Sequence, residues 1–538
     1  MRNPNCMERR IVMTSWKCRT AWLCLAACLI SGGASGTEFY VSPDGNGPGT
    51  REAPASIELL SNPGERVVPG DTIWMLGGLY VVPPTDKLRP VEHIVSPLFP
   101  GKQAKRSELI CELTGTRDRP VIVRQAPGQR VTIEGGLQIH GENTWFWGLE
   151  VRGTRGTDRE EVNSRVSVFG PGTKLINMVL HRGQTGIGCW WPAIDSELYG
   201  NVMYDCGWDQ GGRGYGSAAM IHNEYGTKRV VDNVMFAAHA HNIEVYRLNK
   251  NSESSGYHIE GNILFSPGMA SSPADAPHDN VFIYAYQPMD RVELIGNIAY
   301  HPRTGGWRYN VRLGPFGGTF HHAAAIRDNY FMGYNGVGLH KWRKIEMTGN
   351  EIWAPQHLLT YEKPSDKSDV DWTINHNHYH ALPEELKFNG KTFAAHQKES
   401  GLDADSTLEP TVNGRPTGTR IFVRPNQYEP GRANIAVFNW DGKDAVEVDL
   451  SSVGLKEGQM FQVRNVLDLY GKPVAEGSWN GKPVRLPMLK SAIAPDFDAF
   501  LVVPKESFGC FQARGDELPS DWQKQDWGKP GALDWKEK

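Results

Sequence analysis

Cysteine is scarce in this chain and badly spaced for metal binding. There are eight in 538 residues, and Cys6, Cys18, Cys24 and Cys28 precede residue 36. The remaining four, Cys111, Cys189, Cys206 and Cys510, form no CxxC pair. That excludes a zinc site legible in the sequence and a dense disulfide scaffold. A single Cys189–Cys206 bridge and two buried thiols both stay open. An excess of one charge is also missing. Lysine plus arginine number 57 against 61 aspartates plus glutamates, a net charge of −4. The chain as a whole is therefore not built to bind nucleic acid or a charged membrane surface. Long hydrophobic runs are absent too. The apolar stretch "AWLCLAACLI" (21–30) is too short to span a bilayer, so no membrane-spanning segment is expected.

That stretch reads as a leader. Arg9, Arg10, Lys17 and Arg19 precede it and the small residues "SGGASG" follow, which predicts export with residues 1–36 as a signal peptide cleaved between Ser35 and Thr37. "LAAC" (25–28) resembles a lipobox, which leaves a secreted or periplasmic protein and a lipoprotein anchored through Cys28 as the two outcomes.

What the chain has in quantity is turns, with 59 glycines and 35 prolines, and a repeat written in asparagine. "LINMVL", "LYGNVMY", "VVDNVMF", "IEGNILF", "LIGNIAY", "IRDNYFM", "MTGNEIW" and "INHNHYH" place Asn177, Asn201, Asn233, Asn262, Asn297, Asn329, Asn350 and Asn377 between short apolar strands. The intervals vary from 21 to 35 residues. Recurrence with variable insertions is the mark of a solenoid, whose coils extrude loops without disturbing their neighbours. Stacked coils put equivalent asparagines about 4.8 Å apart, so each amide can bond the next, and asparagine tolerates a left-handed bend.

These repeats, with "EFYVSPDGNGPGTREAPASIELL" and "PGDTIWMLGGLY" near residues 38–80, resemble the right-handed parallel β-helix proteins of the pectin-lyase-like superfamily. The resemblance covers about residues 38–385. It implies an all-β fold and a secreted, carbohydrate-active protein, and it leaves the reaction open, since one fold hosts many chemistries. We assign 37–385 to the β-helix and 386–415 to a linker. Alternating strands from "RIFVRPNQY" to "FDAFLVVP" predict a small antiparallel β-sandwich over 416–510, and 511–538 reads as a polar tail.

Aligning the strand after each asparagine gives a register. Ile187, Ala219, Ile243, Val281, Val311 and Val337 fall in one inward column, and Cys189, Ile221, Val245, Ile283, Leu313 and Leu339 in a second. The outward column between them reads Gly188, Met220, Glu244, Phe282, Arg312, Gly338. The next reads Trp190, His222, Tyr246, Tyr284, Gly314, His340, with Arg247 and Lys341 beside it. Aromatic faces stack on sugars, arginine clamps carboxylates, and tyrosine or histidine moves protons, so this face reads as a saccharide groove. The Gly-rich loop 204–216 adds Asp205, Trp208, Asp209 and Arg213 as rim residues, and 266–280 adds Asp275, His278 and Asp279.

Three functions are weighed on this face. A polysaccharide lyase acting on a uronate-containing glycan needs a base, an acid and a carboxylate neutraliser, and Glu244, Tyr246, His222 and Arg312 are the catalytic candidates. Trp190, Tyr284, His340, Lys341, Arg247, Trp208 and Asp209 would bind the substrate. The resemblance implies calcium as a further neutraliser, with Asp205, Asp209 and Glu244 as ligands, and His239 and His241 form a second metal candidate pair. A glycoside hydrolase would pair Glu244 with Asp205, Asp209 or Asp279. A non-catalytic glycan-binding surface protein would use the same aromatics without turnover, and an epimerase stays open behind these three. The bland alternative is a structural Glu244–Arg312 ion pair. The expected partner is a polysaccharide or oligosaccharide bound by a monomer.

Overall fold

In a computed structural model, residues 36–83, 108–153, 165–210, 213–247, 254–269, 278–302, 308–314, 320–366 and 369–515 are described. The expected leader and Cys28 lie outside them. Among the described residues no helix is long and apolar enough to cross a membrane.

Each coil of the chain contributes one strand in turn to three parallel sheets. Sheet 1 has twelve strands from Glu38–Val41 to Asp371–Asn375, sheet 2 has twelve from Gly78–Val81 to Thr407–Glu409, and sheet 3 has ten from Glu108–Cys111 to Leu359–Glu362. The strands are short, three to seven residues, because each coil must turn a corner before the next sheet. Side chains alternate in and out along each strand, so the inward ones of all three sheets meet in one continuous core running from Val41 to Leu402. This is a parallel β-helix, as the repeat and the resemblance imply.

The asparagine ladder is real, with two corrections. Asn201, Asn233, Asn262, Asn297, Asn329 and Asn350 each donate from Nδ2 to Oδ1 of the next asparagine at 2.8–3.0 Å, ending at Asn377. Asn177 is not a rung. It pairs in register with Gly200, and Met178 holds the ladder position, donating its N–H to Asn201 Oδ1 at 2.9 Å. Nor are the rungs the left-handed residues. That conformation falls one position earlier, at Asn177, Gly200, Asp232, Gly261, Gly296, Asp328, Gly349 and His376 (φ 53° to 70°). A second, shorter ladder runs Asn242–Asn280–Asn310 at 2.6 and 2.7 Å, and it places Asn242 at the corner before sheet 3.

All four described cysteines are free and buried, so Cys189 and Cys206 form no bridge. The stretch expected to be a linker is structured. The helix Phe393–Ser400 is N-capped by Thr392, and Thr407–Glu409 pairs with His378–His380 as the last strand of sheet 2.

The C-terminal sheet is antiparallel, in the order Ala475–Ser478, Met460–Asn465, Phe497–Pro504, Ala433–Asn439, Thr419–Pro425. One face, including Ile435, Val437 and Phe500, packs on the strand pair Ala445–Val448 and Val484–Pro487. The other, with Ala436, Phe438, Ala499 and Leu501, packs on the outer face of sheet 2 against Phe236, Phe265, Tyr300, Tyr330 and Trp353. The β-helix and this sandwich are one compact unit. The middle coils of sheet 2 are thereby buried on both faces, which leaves sheets 1 and 3 and the last coils of sheet 2 to meet solvent.

Candidate functional site

Sheet 3 carries the columns that read as a saccharide groove, and their register is the one expected. Gly188 pairs with Met220, Met220 with Glu244, Glu244 with Phe282, Phe282 with Arg312 and Arg312 with Gly338. Tyr246 stands beside Tyr284, their rings stacked at 5.3 Å. The aromatic stripe extends two coils further back than predicted. His140 stacks on Phe169 at 4.7 Å, Phe169 on Trp190 at 6.3 Å, and Trp190 meets His222 edge-on at 5.1 Å. Those two residues precede the first asparagine rung, so the repeat gave them no register.

Burial divides the stripe into packed and available rings. Trp190 lies across Gly188, where a Cβ would come within 2.8 Å of the indole, and the ring is buried. Tyr284 is buried as well, between Phe282 at 5.5 Å and Tyr286 at 5.7 Å. Tyr246 is half-buried and Tyr286 is 37% exposed, so these two present ring surface to a ligand. His340 is half-buried, with Tyr309 edge-on at 6.2 Å, and Lys341 faces Glu362 at 3.6 Å. Arg247 ends its strand, and its side chain lies outside the described residues.

The polar centre does not follow the bland alternative. Glu244 and Arg312 are not an ion pair. Arg312 Nη2 donates to Asp279 Oδ2 at 2.7 Å, and its guanidinium lies 4.5 Å over the Phe282 ring. Asp279 is fully buried, takes the Tyr309 N–H at 2.7 Å on its other oxygen, and donates its own N–H to His241 Nδ1 at 3.0 Å. Burial raises its pKa against Arg312 and Arg308. Glu244 instead accepts the Ser217 hydroxyl at 2.5 Å. Burial raises its pKa, with Ser217, Arg213 and Arg308 pulling the other way and Asp279 adding to the rise. Burial also pushes Tyr246 up to about 12, with Glu244 contributing. Ser217 and Arg308 are the residues that the pattern missed. Ser217 stands two positions before Ala219, as His241 stands before Ile243, so extending the register by one column would have found it.

The Gly-rich loop is a hairpin at the rim. Trp208–Gln210 pairs antiparallel with Arg213–Tyr215, Trp208 stacks on Tyr215 at 5.4 Å, and Arg213 lies 5.0 Å over the same tyrosine. Gly207 (φ 116°) and Gly216 (φ 88°) let it fold down tightly, since a Cβ at either would come within 2.1 Å of a backbone oxygen. Asp209 Oδ1 on the hairpin lies 3.3 Å from His239 Nδ1.

The proposed metal ligands do not gather. His239 turns to Asp209, whereas His241 stacks on Phe282 at 4.6 Å. Asp205 occupies a buried left-handed corner (φ 55°). Among the described residues, Asp205, Asp209, Glu244, His239 and His241 form no three-ligand group, and three ligating side chains meet elsewhere, at Glu351, His378 and His380.

No family profile matches the chain, and no curated protein does. Solved structures do match. Pectate lyase Pel9A is 14% identical with a TM-score of 0.41, over 72% of this chain and 88% of that one. A mannuronic acid-specific polysaccharide family 6 lyase from human gut microbiota is 13% identical with a TM-score of 0.33, over 70% and 92%. A capsular polysaccharide depolymerase, the tailspike gp49 of an Acinetobacter baumannii bacteriophage, is 9% identical with a TM-score of 0.37, over 81% and 80%. At these identities and scores the similarity speaks to the fold alone, which the three sheets already define.

Proposed function

We propose that this is an exported polysaccharide lyase that cleaves a uronate-containing glycan by β-elimination in the sheet 3 groove. The observation that carries this reading is how the carboxyls at the groove centre are used. Asp279 is fully buried and committed to Arg312, Tyr309 N–H and His241, so it is unfit as the second carboxylate that a glycosidase needs. Asp205 fills a buried left-handed corner and Asp209 turns to His239, which leaves Glu244 with a phenol two residues along the same strand face and the charges of Arg213 and Arg308 nearby. One carboxyl, one phenol and cations suit elimination better than hydrolysis.

In this reading Arg213 and Arg308 draw charge from the substrate carboxylate and acidify the proton at C5. Glu244, its basicity raised by burial, removes that proton. Tyr246, held protonated, gives its proton to the leaving glycosidic oxygen. Residues two apart on a strand stand roughly 6.6 Å apart, a span suited to the two sides of a pyranose ring. Tyr286 offers a ring face for a neighbouring sugar, whereas Trp208 is buried against Tyr215.

The test is a panel of acidic glycans assayed for ultraviolet-absorbing unsaturated uronate products. Glu244→Gln and Tyr246→Phe should each lower kcat by about 100-fold or more with KM little changed. New reducing ends without the ultraviolet signal would make the protein a hydrolase, and binding without either would make it a lectin-like surface protein.

A further inference from the structure

We propose that Glu351, His378, His380 and Glu409 form a site for a zinc-type divalent ion, which staples the last three coils on sheet 2. The four come from successive strands in register. Glu351 pairs with His378, and Trp353 with His380. One coil on, Thr407 pairs with His378 and Glu409 with His380. Histidines two apart on one strand point the same way, and the coils above and below bring one carboxylate each to the same patch.

The distances fit a shared ion. His380 Nε2 lies 2.9 Å from Glu351 Oε1, and His378 Nε2 lies 3.0 Å from Glu409 Oε2. One ligand atom each from Glu351, His378 and His380 falls within 4.8 Å of the others. Donors around a tetrahedral zinc with bonds near 2.0–2.1 Å stand roughly 3.3 Å apart, so small side-chain shifts close the shell. Two imidazoles with carboxylates favour a first-row ion such as zinc over calcium, which prefers six or more oxygens.

The surroundings support the same role. His378 Nδ1 lies 2.7 Å from Thr407 Oγ1, a partner that fixes the ring and leaves Nε2 turned toward Glu409. Arg420 binds Oε2 of Glu351 at 2.5 Å and leaves Oε1 facing the histidines. The two rings cross at 87° with centroids 4.6 Å apart. Arg420 lies in the first strand of the sandwich, so the ion would tie the end of the coil stack to the domain packed on it.

The experiment uses the untagged full-length protein, stripped with chelator and titrated with zinc chloride by calorimetry and thermal denaturation. We expect one equivalent to bind and the melting temperature to rise until that equivalent is reached. Cobalt(II) should give the visible spectrum of a tetrahedral nitrogen–oxygen site. His378→Ala with His380→Ala should abolish both signals with the far-ultraviolet circular dichroism unchanged. Thr407→Val should weaken binding by about 10–100-fold. Zinc binding that persists in the double variant, a calcium response equal to that of zinc, or no binding by the parent protein would each overturn the assignment. If the double variant fails to fold, the cobalt spectrum and Thr407→Val decide the question.

Discussion

At the scale of single residues, the strongest electrostatic feature lies away from the groove. Glu150 is buried and accepts Arg130 Nε and Nη2, both at 2.9 Å, and also bonds the Thr132 hydroxyl and His181 Nε2 (2.8 Å). Burial works to raise its pKa, but His181 and Arg130 outweigh it and hold the carboxyl well below the ordinary range. A carboxyl with a depressed folded pKa adds stability above its unfolded value of about 4.3 and loses it as pH falls through the folded value. Glu150→Gln keeps the shape and leaves the Arg130 charge buried beside an amide. At neutral pH it should cost about 3–5 kcal/mol in urea denaturation, and the gap to wild type should narrow below about pH 4. A gap independent of pH would mean that Glu150 is not an ionised partner. Nothing in the sequence marked this cluster, because its members come from four separate strands and loops with no common motif. Glu244 was legible for the opposite reason. A carboxylate in a column of glycine, methionine and phenylalanine is out of place by pattern alone.

At the scale of elements, the inward columns could be read because a half-buried strand has a period of two and a stack repeats it coil after coil. The partner of each polar side chain could not, since partners depend on the neighbouring coil and on loop lengths that vary. Arg312 illustrates this. Its column was right, yet its carboxylate is Asp279, at the corner two positions before the next strand back, and not Glu244. The asparagine ladder was legible as composition and misread in detail at Asn177, where asparagine fills the left-handed corner usually held by glycine or aspartate. A true rung does more than tolerate a bend. Asn262 donates to Val230 O at 2.8 Å and to Asn297 Oδ1 at 2.9 Å, and it accepts from the N–H and the amide of Asn233 at 3.0 and 2.9 Å. Asn262→Ala would strand the Val230 carbonyl and the Asn233 N–H in a fully buried corner. At about 1–3 kcal/mol for each stranded group, the loss should be about 2–6 kcal/mol by urea denaturation. Asn177→Ala, at a corner outside the ladder, loses part-buried bonds with Glu429 and Asn426 and should cost less. A loss at Asn262 below about 1 kcal/mol would show that the ladder bonds add little.

At the scale of the whole molecule, the sandwich acts as a clamp laid along the coil stack. Its polar contacts run from Glu197, which accepts the Tyr428 hydroxyl at 2.6 Å, through Asp232, paired with Arg424 at 2.7 Å, to Glu351 and Arg420. The chain then returns to the early coils, where Arg514 donates to Thr132 Oγ1 and to the Arg130 carbonyl, each at 2.7 Å. Between these contacts lies the apolar surface that makes the arrangement obligatory. Strands such as Val234–Phe236 and Ile263–Phe265 are apolar at every position, the pattern of a sheet covered on both faces. That signal was present in "NVMF" and "NILF", but three-residue strands are too short for an interrupted alternation to stand out. Without the sandwich, Phe236, Phe265, Tyr300, Tyr330 and Trp353 would face water. Aromatic side chains bury about 150–250 Å² each, so the bared patch would exceed the few hundred Å² that soluble monomers tolerate. A chain ending at residue 411 should therefore aggregate or come out insoluble, and Phe265→Glu with Tyr300→Lys in that background should recover soluble protein, read by size-exclusion chromatography. A truncated chain that ran as a clean monomer without those changes would show that the β-helix is self-sufficient and the sandwich only an appendage.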